Sequence, residues 1–172
     1  MSMVPQYWWS RNPDEIFWLE ISSREDFGTN LTHDIESSSG SLLPSYRLAR
    51  DEMNIGDVVY HFDQAWDGIR SWSRVSGPFQ EADDWWEVEL AGPHRLQGAV
   101  TYQRIVEAGP RIEQVLRSLP RSREESQYLP FVFSANGLRL AQTYLAKLPR
   151  QVLTVFPQLG EALPAEEVGN DN

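Results

Sequence analysis

Apolar and polar positions along the chain alternate between two periods. Ile16-Phe-Trp-Leu-Glu-Ile21 is an almost unbroken apolar run and predicts a buried strand. Val58, Val59, Tyr60 and Phe62 follow the turn dipeptide Gly56-Asp57 and predict a second. In a third, Ile69 to Val75, the residues Ser71, Ser73 and Val75 share one face while Trp72 and Arg74 share the other. A fourth puts Trp86, Val88 and Leu90 opposite Trp85, Glu87 and Glu89, and Gly92-Pro93 is expected to end it. Gly77 to Asp84 reads as an acidic turn and the Ser-rich run 36–44 as a flexible loop.

Helical spacing takes over elsewhere. Ser45 to Met53 predicts a short amphipathic helix. Ile112, Val115, Leu116 and Leu119 follow Pro110 at i, i+3, i+4, i+7. Leu138, Ala141, Tyr144, Leu145 and Leu148 predict a further helix before Pro149, and Val152 to Phe156 reads as a strand or a docking segment. The fold class that follows is α+β: a small, mostly antiparallel β-barrel with peripheral helices. Its expected organisation is an aromatic arm over 1–15, one domain over 16–159, and an acidic tail or linker over 160–172. Within the domain the barrel spans about 16–108 and the helical part about 109–159.

Composition narrows the chemistry. The 172 residues suffice for one domain with a sizeable core, and the seven Trp, six Tyr and seven Phe exclude a disordered chain. With no cysteine and three dispersed histidines (His33, His61, His94), neither a disulfide nor a metal site is expected, and no cofactor motif is present. There is no apolar run long enough to span a membrane and no secretory signal pattern, so the expectation is a cytoplasmic protein with no membrane partner. The net charge of −10 argues against nucleic acid at first sight. Its distribution tempers that: residues 1–94 hold six basic and seventeen acidic side chains, whereas residues 95–150 hold nine and four.

No phosphate loop, zinc-protease motif or serine-nucleophile elbow is present. His61 and Asp63 stand at i and i+2 on one strand, the spacing of a base and its orienting acid, which keeps a small hydrolase open as a minor reading. Trp66 and Trp72 flank a short polar segment and read either as core anchors or as walls of a pocket for a flat ligand.

Three motifs carry a resemblance. Phe17-Trp18-Leu19-Glu20-Ile21, Met53-Asn54-Ile55-Gly56-Asp57-Val58-Val59 and Gly68-Ile69-Arg70-Ser71-Trp72-Ser73-Arg74-Val75 are similar to segments of the EVE and YTH branch of the PUA-like superfamily. Residues 131–149 also resemble the segment that follows such a domain in modification-dependent restriction proteins, where an HNH nuclease often comes next. The resemblance implies a reader of a modified base. In that reading, DNA carrying a 5-substituted cytosine is the partner, the base is flipped into an aromatic pocket, and the chain is the sensor of a restriction or defence system. It is not an enzyme by itself, and an HNH-type nuclease domain or partner supplies the cleavage.

By position, the resemblance implies a pocket drawn from Trp18, Thr29, Asn30, Tyr60, His61, Phe62, Trp66, Ser71 and Trp72, with no catalytic residue. Arg70, Arg74, Arg95, Arg121, Arg123 and Arg139 are the expected contacts to the nucleic-acid backbone. Related domains carry a tryptophan near the position of Gly28, where this chain has Phe27. The alternative reading is a protein-interaction domain, with exposed Trp and Tyr as hot spots.

Overall fold

The computed structural model describes residues 7–10, 12–119, 123 and 125–162. Eight strands, three α-helices and three short 3-10 turns follow one another within them. The strands are β1 (Phe17–Ser22), β2 (Asn30–Asp34), β3 (Val58–Asp63), β4 (Gly68–Glu81), β5 (Trp85–Thr101), β6 (Phe131–Ser134), β7 (Gly137–Leu140) and β8 (Leu145–Lys147). The helices are α1 (Pro44–Asp51), α2 (Tyr102–Glu107) and α3 (Gly109–Arg117).

Six strands form one curled sheet in the order β2-β5-β4-β3-β1-β8, and β6 and β7 make a separate hairpin. β1 and β3 run parallel, and the other neighbours in the six-stranded sheet are antiparallel. The result is a half-barrel with peripheral helices. Strand alternation divides the interior into two cores. Phe17, Leu19, Ile21, Val58, Tyr60 and Phe62 pack on one face with α2, α3 and the C-terminal turns. Trp18, Val59, Val75, Trp86 and Val88 pack on the other with α1. Trp9 of the N-terminal arm joins this second core, stacked on Tyr7 at 4.6 Å and edge-on to Trp18.

Gly77-Pro78 and Gly92-Pro93 lie inside strands, against the expectation of a turn at the first and a strand end at the second. Between the pairs Trp72↔His94 and Arg74↔Ala91, β5 holds one residue more than β4, so Gly92-Pro93 sits in a bulge where no ladder donor is needed. Between Val75↔Leu90 and Phe79↔Val88, β4 holds the excess, and Ser76-Gly77-Pro78 occupies it. The acidic turn therefore shrinks to Ala82–Asp84. These bulges bend the two longest strands and so curl the sheet.

The helix expected over 138–148 does not form. Phe133↔Leu138 and Ser134↔Gly137 close a hairpin around Ala135-Asn136, with Gly137 at φ 104°, and Leu145–Lys147 adds to β1 instead. The Asn136-Gly137 turn signal outweighs the helical spacing that follows it. Val152 to Phe156 forms no strand: its first three residues end a 3-10 turn over Arg150–Thr154. The Ser-rich loop is ordered by its own hydrogen bonds, from Ser37 N–H to Ser41 O at 2.8 Å and from Gly40 N–H to Ser37 O at 2.9 Å. The acidic tail from residue 163 onward lies outside the described residues.

Candidate functional site

Because β2 and β8 are the two ends of the sheet order, the curl brings two free edges toward each other. Side chains close this seam. Tyr144, just before β8, accepts a hydrogen bond from the backbone N–H of Thr32 on β2 at 3.1 Å. The guanidinium of Arg24 donates to the carbonyl of Asn30 at the start of β2. On the β8 side, Ser45 Oγ of α1 accepts from Leu145 N–H at 3.1 Å. Edge groups that would otherwise seek another strand are thus satisfied.

One carboxylate anchors both arms. Glu20, fully buried on β1, accepts from the Tyr144 hydroxyl at Oε2, and Arg24 Nε forms an ion pair with the same oxygen at 3.4 Å. Its other oxygen lies 2.7 Å from His61 Nδ1, and His61 Nε2 lies 2.7 Å from Ser73 Oγ. Burial pushes the Tyr144 hydroxyl well above the ordinary phenol range, with the Glu20 charge adding to the effect, so it stays protonated and keeps donating.

Ser73, His61 and Glu20 have the connectivity of a nucleophile, base and acid, but the serine is sealed. It has no exposed surface, and its hydroxyl donates to Gly28 O at 3.0 Å. Phe27 lies over His61 with ring centroids 5.5 Å apart. Gly28 approaches Pro93 so closely that a Cβ would stand 2.5 Å from the proline side chain. The row therefore ties the loop after β1 to the sheet. The expected His61–Asp63 pair does not form: His61 turns to Glu20, while Asp63 holds Arg70 at 3.1 Å and caps the Ala65 and Trp66 N–H groups.

Over the seam opens a cleft of about 790 Å³, inside the roughly 300–1,000 Å³ span of small-molecule sites. Arg24, Thr32, His33, Gln64, Gln142 and Tyr144 supply its principal polar and aromatic lining. Among the described residues no carboxylate lines it, although the chain carries 25 acidic residues. Its charged or chargeable surface is instead Arg24 and His33, with the Glu20 carboxylate buried behind. The His33 ring stacks on Tyr144 with centroids 4.7 Å apart and planes at 24°. Such a site favours a flat, polar ligand that is neutral or anionic.

The residues expected to line one aromatic cage are dispersed. Trp18, Tyr60 and Phe62 are core residues, because both faces of β1 and β3 are covered. Trp18 donates to Asp57 Oδ2 at 2.8 Å and Tyr60 to Leu159 O at 2.5 Å. Trp66 is exposed and carries Arg70 over its ring at 4.7 Å, whereas Trp72 is half-buried against His94 at 4.4 Å. Among the described residues no ring contact joins Trp66 to Trp72. Thr29 is exposed, and Asn30 and Ser71 are half-buried. Of the expected set, His61 reaches the seam network by its side chain and Asn30 by its backbone carbonyl.

The expected backbone-binding arginines divide similarly. Arg74 donates to Gly56 O and Ala162 O at 3.0 and 2.9 Å and lies over Trp72, which makes it a brace between segments. Arg95, Arg123 and Arg139 are exposed, and Arg121 lies outside the described residues. Residues that sequence reasoning missed are Glu20, Arg24, Thr32, His33, Ser73 and Tyr144. The one signal for them was Glu20, an acid in the middle of an apolar strand, which needs buried partners.

Fold and site together define an α+β half-barrel with a polar cleft at its open seam. No family model matches the chain, and no curated protein matches it. Among solved structures, a protein from Agrobacterium tumefaciens superposes with a TM-score of 0.50 at 14% identity, over 86% of this chain and 95% of that one. A protein from Pseudomonas putida superposes with a TM-score of 0.51 at 12% identity, over 83% and 98%. At these identities the likeness is one of fold.

Proposed function

We propose that the chain is a base-reading module of PUA-like type that receives an unstacked nucleobase in the seam cleft. The observation that carries this reading is the cleft lined by Arg24, His33 and Tyr144, and by no carboxylate among the described residues, in a chain of net charge −10. A flipped base needs a ring face for stacking and donors and acceptors for its edge. Tyr144 offers the first; Thr32, Gln64, Gln142 and Arg24 offer the second. The sequence resemblance directs the finer choice, a 5-substituted cytosine in double-stranded DNA, read as the sensor of a restriction system whose HNH-type nuclease is a further domain or a partner. The cage moves from Trp66 and Trp72 to the seam.

The test is fluorescence-anisotropy binding to short duplexes with unmodified cytosine, 5-methylcytosine, 5-hydroxymethylcytosine or N6-methyladenine at one position. Base stacking is worth about 1 to 3 kcal/mol, so Tyr144→Leu should weaken binding by roughly five- to a hundredfold, while Trp66→Ala leaves it within twofold. Equal affinity for all duplexes, untouched by Tyr144→Leu, would sink the reading. The second reading, a protein-interaction domain, draws on Trp66 and Trp85, which are 39% and 42% exposed. Loss of a protein partner on Trp66→Ala or Trp85→Ala, with no affinity for any duplex, would favour it.

A further inference from the structure

Two rings meet in the cleft, and they are held very differently. Tyr144 is 8% exposed, and its hydroxyl both donates to Glu20 and accepts from Thr32 N–H, so neither the ring nor its polar tip is free to turn. His33 is half-buried on the edge strand β2. The only side-chain hydrogen-bonding contact it makes among the described residues is from Nδ1 to Asp34 O at 3.4 Å, beyond the usual length for such bonds. Yet its imidazole covers the Tyr144 face at a centroid distance of 4.7 Å. A third ring cannot enter that gap, since two contact layers need about 7 Å.

We propose that the Tyr144 face now under His33 is the stacking subsite for a flat heteroaromatic ring, and that the imidazole occupies it as a stand-in which the ligand displaces. This rests on the base-reader reading for the identity of the natural ligand, not for the existence of the subsite. Three features support it. The pinned ring is buried and the loosely held one is half-buried on an edge strand; the covering group is itself a flat nitrogen heterocycle; and the cleft of about 790 Å³ beside the pair has room for the displaced side chain. Displacing a stacked pair costs the incoming ring roughly three- to tenfold in affinity, the amount that removing His33 should return.

The experiment follows the Tyr144 ring protons by NMR in wild type, His33→Ala and His33→Phe while free imidazole, and separately 5-methylcytidine, is added. In wild type, imidazole is expected to leave those protons unmoved. In His33→Ala it should shift them saturably, because the vacated face accepts the free ring. 5-Methylcytidine should bind His33→Ala roughly three- to tenfold tighter than wild type and His33→Phe more weakly. Tyr144 protons that ignore imidazole in His33→Ala would overturn the proposal, and so would a His33→Ala protein that binds the nucleoside more weakly than wild type, which would make His33 a wall of the site. If imidazole fills the His33→Ala site but no nucleoside or duplex binds any of the proteins, the subsite stands and the base-reader reading falls.

Discussion

The hydroxyl of Tyr144 bonds to the backbone N–H of Thr32 at 3.1 Å, joining the two free edges of the sheet through a side chain instead of a ladder. The same hydroxyl donates to Glu20, so removing one oxygen atom strands a donor on β2 and an acceptor on β1. Tyr144→Phe keeps the ring and its packing. It is expected to lower the unfolding free energy by about 1 to 3 kcal/mol, the cost of leaving buried polar groups unpaired. Urea denaturation measures this, and an unchanged midpoint would mean that the seam is closed by other contacts.

How much of this was legible follows from where the information sits. Strands β1, β3 and β4 and helix α3 announce themselves because burial stamps a short local period on the sequence. The bulges at Gly92-Pro93 and Ser76-Gly77-Pro78 do not, since a Gly-Pro pair ends a strand or kinks it according to what its neighbour strand does. Tyr144 and Leu145 show why the site was hidden. They share a helical spacing with Leu138 and Leu148, but β1 lies more than a hundred residues upstream and claims Leu145 as a strand partner, which leaves Tyr144 over Glu20. The resemblance implies pocket rings at Trp18 and Tyr60, but they are core, because a matching local motif does not tell a strand covered on both faces from one that lines a cavity.

Ser73 shows that the connectivity of a catalytic triad does not by itself make an active site. Its hydroxyl is committed to Gly28 O, its surface is fully covered, and Phe27 closes over His61. A serine-directed fluorophosphonate is therefore expected to leave the protein unlabelled by mass spectrometry. Ser73→Ala should cost about 1 to 3 kcal/mol in stability, since it leaves Gly28 O and His61 Nε2 unpaired, without altering ligand affinity beyond twofold. Stoichiometric labelling at Ser73 would instead reveal a state in which the loop after β1 opens.

That loop is clamped by the approach of Gly28 to Pro93, and two glycines separate the clamp from mere backbone preference. Gly28 has φ +106° and a Cβ there would fall 2.5 Å from the proline; Gly40 has φ +86° and nothing within 4 Å. Alanine at either position bears left-handed strain, of order 1 kcal/mol. Gly28→Ala also forces two segments apart and should cost at least about 2 kcal/mol more than Gly40→Ala in thermal or urea unfolding. Equal costs would show that the loop yields without resistance.

The only lysine of the chain, Lys147, is buried on β8. Its ammonium lies 4.3 Å over the Trp18 ring and donates to Glu15 O, and it is faced by the carboxylates of Glu15, Glu52 and Asp57. Burial pulls its pKa from 10.5 down to about 8 despite those three charges. Above pH 8 the folded chain releases this proton, while the unfolded chain keeps it until about 10.5. The unfolded state therefore binds more protons in that window, and stability rises with pH; below 8 the full penalty of burying the ammonium is present. Burial raises Glu15, Glu52 and Asp57, whose folded forms hold protons longer, so their contribution to stability falls as pH climbs above the ordinary carboxylate range. Tyr60 and Tyr144 are raised as well, and they oppose the lysine only once unfolded tyrosines ionise near pH 10. Urea midpoints should thus increase between about pH 8 and 9.5 in the wild-type protein, whereas Lys147→Met, which keeps the length of the stem without the charge, should show no such rise. A flat wild-type profile across that window would mean that Lys147 stays charged, balanced by its three carboxylates.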